Sequence, residues 1–161
     1  MEDTDMATSA QYLTFLLDGE LFAVDISKIR EVLEFTSVTK VPRTPPFMRG
    51  VINLRGSVVP VIDMRAKFHM SKTEKTVNTC IIILEIVLED GITVMGALAD
   101  SVQEVMELNS EQIEPPPKIG THLHSDFLVG IGKHEGKFIM ILDIDKIFSV
   151  SELSDIQVSA A

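Results

Sequence analysis

Residues 50–68, GVINLRGSVVPVIDMRAKF, decide the fold, because their pattern is written again at residues 130–148 as GIGKHEGKFIMILDIDKIF. Laid over each other without a gap, Gly50, Gly56, Asp63 and Phe68 meet Gly130, Gly136, Asp143 and Phe148. The remaining positions agree in type more than in identity. Each copy runs from a glycine through an apolar stretch, a glycine-containing turn and a second apolar stretch to an aspartate. That order reads as a β-hairpin. Self-similarity of this kind marks a chain built from one unit used twice.

Working outward, IREV at residues 29–32 meets VQEV at 102–105, and Pro42 meets Pro115. The second copy differs by a longer proline-rich link, EPPPKIGTHLHSD. Further upstream, YLTFLLDGELFAVDI and IIILEIVLEDGITVMGALA each place two apolar runs around Asp-Gly, a dipeptide suited to the positive φ angles of a tight hairpin. The segments SKIREVLE and SVQEVMEL read mainly as strand. Two units of roughly 65 residues, each with about five short strands, predict an all-β chain of two small antiparallel barrels packed together. The first unit spans about 11–72 and the second about 78–149, with the sharing of strands between them left open. Neither is comfortable alone, so apolar surface between the barrels is expected to supply missing burial. Residues 1–10 read as a flexible acidic tail and 150–161 as a short tail or helix.

Composition narrows the function classes. The 161 residues carry a net charge of −10, and 45% of them are hydrophobic. An acidic chain without a basic stripe is a poor partner for nucleic acid, and direct contact with an anionic membrane is disfavoured for the same reason. Cys80, the single cysteine, cannot form an internal disulfide, which points to a reducing compartment. MEDTDMATSA lacks the basic flank and apolar stretch of a signal peptide, and CIIILEIVL is too short to span a bilayer. These features predict a cytoplasmic protein.

A search for catalytic chemistry removes most candidates. His122 and His124 share one face if THLHS is a strand, and Asp126 follows, so a small metal- or ligand-binding barrel is the rival reading. GIGKHEG has the wrong spacing for a dinucleotide loop and precedes a strand, so no helix N-terminus is there to hold a pyrophosphate. Ser57 and Ser101 lack a nucleophile-elbow setting. Asp63 and Asp143 occupy equivalent repeat positions and read as strand ends. No cofactor is implied. Two features remain, Arg55 in the first hairpin and Glu31, repeated as Glu104. Arg55 aligns with Glu135, so the hairpin itself does not require a cation. Arginine is suited to a rigid two-pronged contact with a carboxylate, and Glu31 is the candidate partner.

The combined set of GVINLRGSVVPVIDMRAKF, VDISKIREVLEFTSVTKVPRTPPFMRG, LADSVQEVMELNSEQIEPPP and FLVGIGKHEGKFIMILDIDKIF resembles the CheW family of bacterial chemotaxis adaptors, over nearly the whole chain. The resemblance implies two five-stranded Src-homology-3-like barrels and an adaptor that is not an enzyme. Its implied partners are the cytoplasmic helical-hairpin tip of a chemoreceptor and the CheW-like regulatory domain of the histidine kinase CheA. Through them it would be recruited to membrane-associated receptor arrays. The family's receptor-coupling positions fall on Ile29, Gly50, Arg55, Val102 and Val105, and its kinase-facing positions on Glu31, Val32 and Val38. Leu33, Glu34 and Phe35 depart from the more polar or glycine-containing pattern of the family there. A CheV-like coupling protein would need a receiver domain after the barrels. None is read before Ala161, so that reading makes the chain a fragment.

Overall fold

The computed structural model describes residues 9–68, 70–88, 91–115 and 127–147. His122, His124 and Asp126 lie outside these residues, as do residues 1–8 of the first tail, Phe148 and Ser149, and the whole of the tail 150–161. The described chain is all-β apart from short helical turns. Its strands are β1 (Ser9–Leu17), β2 (Glu20–Asp25), β3 (Ile29–Glu34), β4 (Met48–Leu54), β5 (Ser57–Asp63), β6 (Cys80–Leu88), β7 (Gly91–Ala99), β8 (Ser101–Asn109), β9 (Ile113–Glu114), β10 (Leu128–His134) and β11 (Lys137–Leu142). One-turn helices α1 (Met64–Lys67) and α2 (Ile144–Ile147) follow β5 and β11.

Local chemistry accounts for the hairpins. Asp18 and Gly19 have φ of 52° and 81°, Arg55 and Gly56 have 51° and 89°, and Glu135 and Gly136 have 51° and 77°. Two successive positive φ values give the turn whose twist matches that of the flanking strands. After each repeated hairpin the aspartate ends the strand and starts a helix. Asp63 is buried and accepts from the backbone N–H groups of Arg65 and Ala66, while Asp143 accepts from that of Lys146. Thr73 also binds Asp63, through its N–H at 3.0 Å and its hydroxyl at 2.7 Å.

The two sheets do not follow the two repeat copies. One has the order β8-β1-β2-β11-β10-β9 and the other β3-β6-β7-β5-β4. The leading hairpin of each copy is therefore lent to the other copy's sheet. Each lent hairpin joins by an antiparallel ladder on one side, β1 to β8 and β6 to β3, and by a parallel ladder on the other, β2 to β11 and β7 to β5. Both sheets close into barrels. Thr39, downstream of β3, exchanges N–H···O bonds of 2.9 and 2.8 Å with Val51 of β4. On the other side β9, separated from β8 by the 3₁₀ turn Ser110–Gln112, pairs with β10.

Three apolar clusters fill the structure. Ile52, Val59, Val61, Ile81, Ile83 and Leu98 pack inside the first barrel, and Tyr12, Ala23, Leu108, Ile139 and Ile141 inside the second. The largest cluster lies between the sheets, with Phe15, Phe22 and Leu142 from one side meeting Ile62, Ile82, Leu84 and Met95 from the other. Strand β6 shows how one run serves two cores. Its period of two sends Ile81 and Ile83 into the barrel, and Ile82, Leu84 and Ile86 into the shared layer.

Candidate functional site

The β4–β5 turn holds Arg55 at the rim of the first barrel, and β3 holds Glu31 across from it. Nη1 of Arg55 donates to Oε2 of Glu31 and Nη2 donates to Oε1, both at 2.7 Å. Strands β3 and β4 stand at opposite ends of the sheet order, so this two-pronged pair spans the seam where the barrel closes. Arg55 is 69% exposed and Glu31 22% exposed. Hydrogen bonding to Arg55 holds the Glu31 carboxyl below the usual carboxylate range, against a smaller opposing effect of burial, and the same bond raises Arg55. The guanidinium is thus fixed in direction while most of its surface faces solvent.

Beside it lies a groove of about 630 Å³ lined by Arg30, Val51, Leu54, Arg55, Ser57, Val58, Val59, Pro60, Ile92, Thr93 and Val94. Val58 is 74% exposed and Ile92 64% exposed. Large aliphatic side chains open to solvent next to a fixed cation form an amphipathic surface. Arg30 is held by Glu85 at 2.9 Å. The second barrel has a groove of about 360 Å³ with a different lining, including Glu104, Met106, His134, Glu135 and Lys137. Phe138, the repeat equivalent of Val58, is 67% exposed beside that turn. One barrel therefore presents aliphatic groups with arginine, and the other an exposed aromatic ring near a groove of mixed charge.

The remaining candidate residues divide among different environments. Ile29 of β3 and Val102 of β8 are half-buried and pack against the core between the sheets. Val32 and Val105, equivalent in the repeat, are both exposed on their strands. Val38 is half-buried against the interior cluster of the first barrel. Gly50 is buried, and a Cβ there would lie 2.2 Å from the Thr39 carbonyl oxygen and 2.7 Å from Cγ1 of Val38. What that glycine admits is the chain's own closing segment. The structure brings Arg55 to Glu31 and Gly50 to Val38, and leaves Val32 and Val38 in separate settings. Val58, Ile92 and Phe138 are exposed large hydrophobic residues that no sequence pattern marks as surface.

Among the described residues, no group of three or more His, Cys, Asp or Glu side chains is placed to hold a metal ion. No described helix is long and apolar enough to cross a membrane.

A family model described as "CheW-like domain" matches residues 11–152. The chain belongs to the CheW family. Among its relatives, "Chemotaxis protein CheW" of Klebsiella aerogenes is 35% identical over 144 residues, covering 89% of this chain and 84% of its own. "Chemotaxis protein CheW" of Bacillus subtilis is 30% identical over 156 residues, covering 94% and 97%. The crystal structure of the scaffolding protein TtCheW from Thermoanaerobacter tengcongensis superposes with a TM-score of 0.80 at 35% identity, over 94% of this chain and 96% of that one. The CheW fold is therefore that of the paired, strand-exchanged barrels described above.

Proposed function

We propose that this CheW-family protein is a non-enzymatic coupling scaffold of chemotaxis signalling. It joins the cytoplasmic helical-hairpin tip of a chemoreceptor to the histidine kinase CheA, and it works in the cytoplasm at the membrane-associated receptor array. The observation that carries this reading is the oriented, solvent-facing guanidinium of Arg55 beside an open aliphatic groove, in a chain of this family. A groove of this chemistry suits the apolar stripe of a helix, and the fixed cation gives that helix a register. Two chemically different barrel ends suit a linker that holds two partners at once.

On this reading Arg55, Ile29, Val102 and Val105 serve the receptor side. Gly50 serves it indirectly, by letting the Val38–Thr39 segment close against β4 and so fixing the hairpin that carries Arg55. Glu31, Val32 and Val38 serve the kinase side, with Glu31 also orienting Arg55. The test is co-sedimentation of the full chain with receptor cytoplasmic fragment and with kinase, separately and together. Retention by each, and greater retention with both, is expected. A folded protein that binds neither would overturn the proposal.

A further inference from the structure

One pocket shares no lining residue with the groove beside Arg55. In a chain of 14 basic and 24 acidic residues, four of the basic ones line a single pocket of about 250 Å³: Lys40, Arg43, Arg49 and Lys72. The one acidic group lining it, Asp63, is already occupied by Arg49, Thr73 and the N-terminal N–H groups of α1. Lys40, Arg43 and Lys72 make no ion pair or hydrogen bond with any described residue. Arg49 uses only Nη1, toward Asp63 at 3.3 Å and the Thr73 carbonyl at 2.9 Å. The pocket therefore gathers positive charge that no described residue neutralises.

Backbone strain points to the same place. Four described non-glycine residues have positive φ, and three of them belong to hairpin turns followed by glycine. Arg43 is the fourth, at φ 63°, followed by Thr44 and flanked by Pro42, Pro45 and Pro46. No hairpin requires that conformation. Thr44 fixes the loop by donating its hydroxyl to the Val41 carbonyl at 3.1 Å. Strain of this kind gathers at ligand clamps, and the prolines make the loop stiff.

We propose that this pocket binds a phosphoryl oxyanion, the chemistry shared by inorganic phosphate, small phosphate monoesters and phospholipid headgroups. Several separate cations suit a polyvalent anion better than a single carboxylate, which one arginine fork would satisfy. The pocket is smaller than the roughly 300–1,000 Å³ typical of drug-sized ligands, so it fits a phosphate group and little more. The proposal does not depend on the coupling function.

Amide NMR of the full chain titrated with inorganic phosphate, against chloride at matched ionic strength, tests it. Saturable shifts at Lys40, Arg43 and Thr44 with phosphate alone are expected. Arg43→Gly keeps the left-handed backbone while deleting the charge, and Lys40→Glu/Lys72→Glu reverses two exposed cations. Each should weaken binding by about tenfold or more with an unchanged melting curve. Sedimentation with phosphatidic acid vesicles, and with phosphatidylcholine vesicles as control, separates the sources. Retention on the acidic vesicles that Arg43→Gly abolishes assigns a headgroup, and phosphate binding without retention assigns a free phosphate. Absence of both, or binding that survives these variants, would overturn the proposal.

Discussion

Arg55 occupies a backbone conformation that L side chains seldom adopt, at the first central position of a tight turn. Its repeat equivalent, Glu135, adopts nearly the same angle, so the conformation belongs to the hairpin and does not depend on the guanidinium. Arg55→Glu is expected to keep the circular dichroism spectrum and lower receptor-fragment affinity by about tenfold or more. The exchanged variant Glu31→Arg/Arg55→Glu rebuilds the ion pair with reversed polarity. If it recovers affinity, Arg55 acts by holding β3 and not by contacting the partner. The pair also has a pH signature. Because the folded state holds the Glu31 carboxyl below its ordinary value of 4.5, the stabilisation is fully present above that value and is lost as pH falls through the lower folded pKa. NMR titration of the Glu31 carboxyl should give a midpoint below 4.5, and Arg55→Ala should move it upward. An unmoved midpoint would separate the shift from the pair.

At the scale of elements, both barrels close at a glycine. The Cβ of an alanine at position 130 would fall 2.6 Å from the Glu114 carbonyl oxygen, as one at position 50 would meet Thr39. Gly50→Ala and Gly130→Ala should each cost about 1–3 kcal/mol in urea unfolding, because the neighbour is backbone and cannot give way cheaply. Gly50→Ala is expected to cost more, since position 50 also has φ of 148°. Equal stability of these variants and the parent would show that the seam yields. The hairpins themselves were legible in the sequence, because a turn is written in two adjacent residues such as Asp18-Gly19. The groove was not. SVVPVID is apolar on successive residues, and in GITVM a single Thr93 between Ile92 and Val94 is too little to set a period, so nothing marks Val58 and Ile92 as facing water. Nor did any local signal say that Thr39 would fill the space before Gly50.

For the molecule as a whole, the repeat was legible and its exchange of hairpins was not. Whether β2 pairs in parallel with β11, residues away at the far end of the chain, depends on packing that no short stretch encodes. The exchange predicts that neither copy folds alone. Residues 11–72 contain β3, β4 and β5 without β6 and β7, together with a hairpin whose partners are elsewhere. Fragments 1–77 and 78–161 should each give collapsed amide spectra alone and a dispersed spectrum when mixed. A dispersed spectrum from either fragment by itself would count against this. The core between the sheets further predicts one cooperative transition for the intact chain, with far-ultraviolet circular dichroism and Tyr12 fluorescence changing together. Tyr12 is the single tyrosine and there is no tryptophan, so fluorescence reports on the second barrel by itself.

The lent hairpins also impose a timetable on synthesis. The five strands of the first barrel lie between residues 29 and 99, so that barrel is complete well before β11 is made. The leading hairpin, β1 with β2, must wait on the ribosome for β8 and then β11, on the order of ten seconds at ordinary elongation rates. During that interval its two open edges are available to any neighbouring strand, including the same hairpin on another nascent chain. The first strands translated are thus among the last to be satisfied, and production of the protein should be sensitive to crowding of ribosomes on its message.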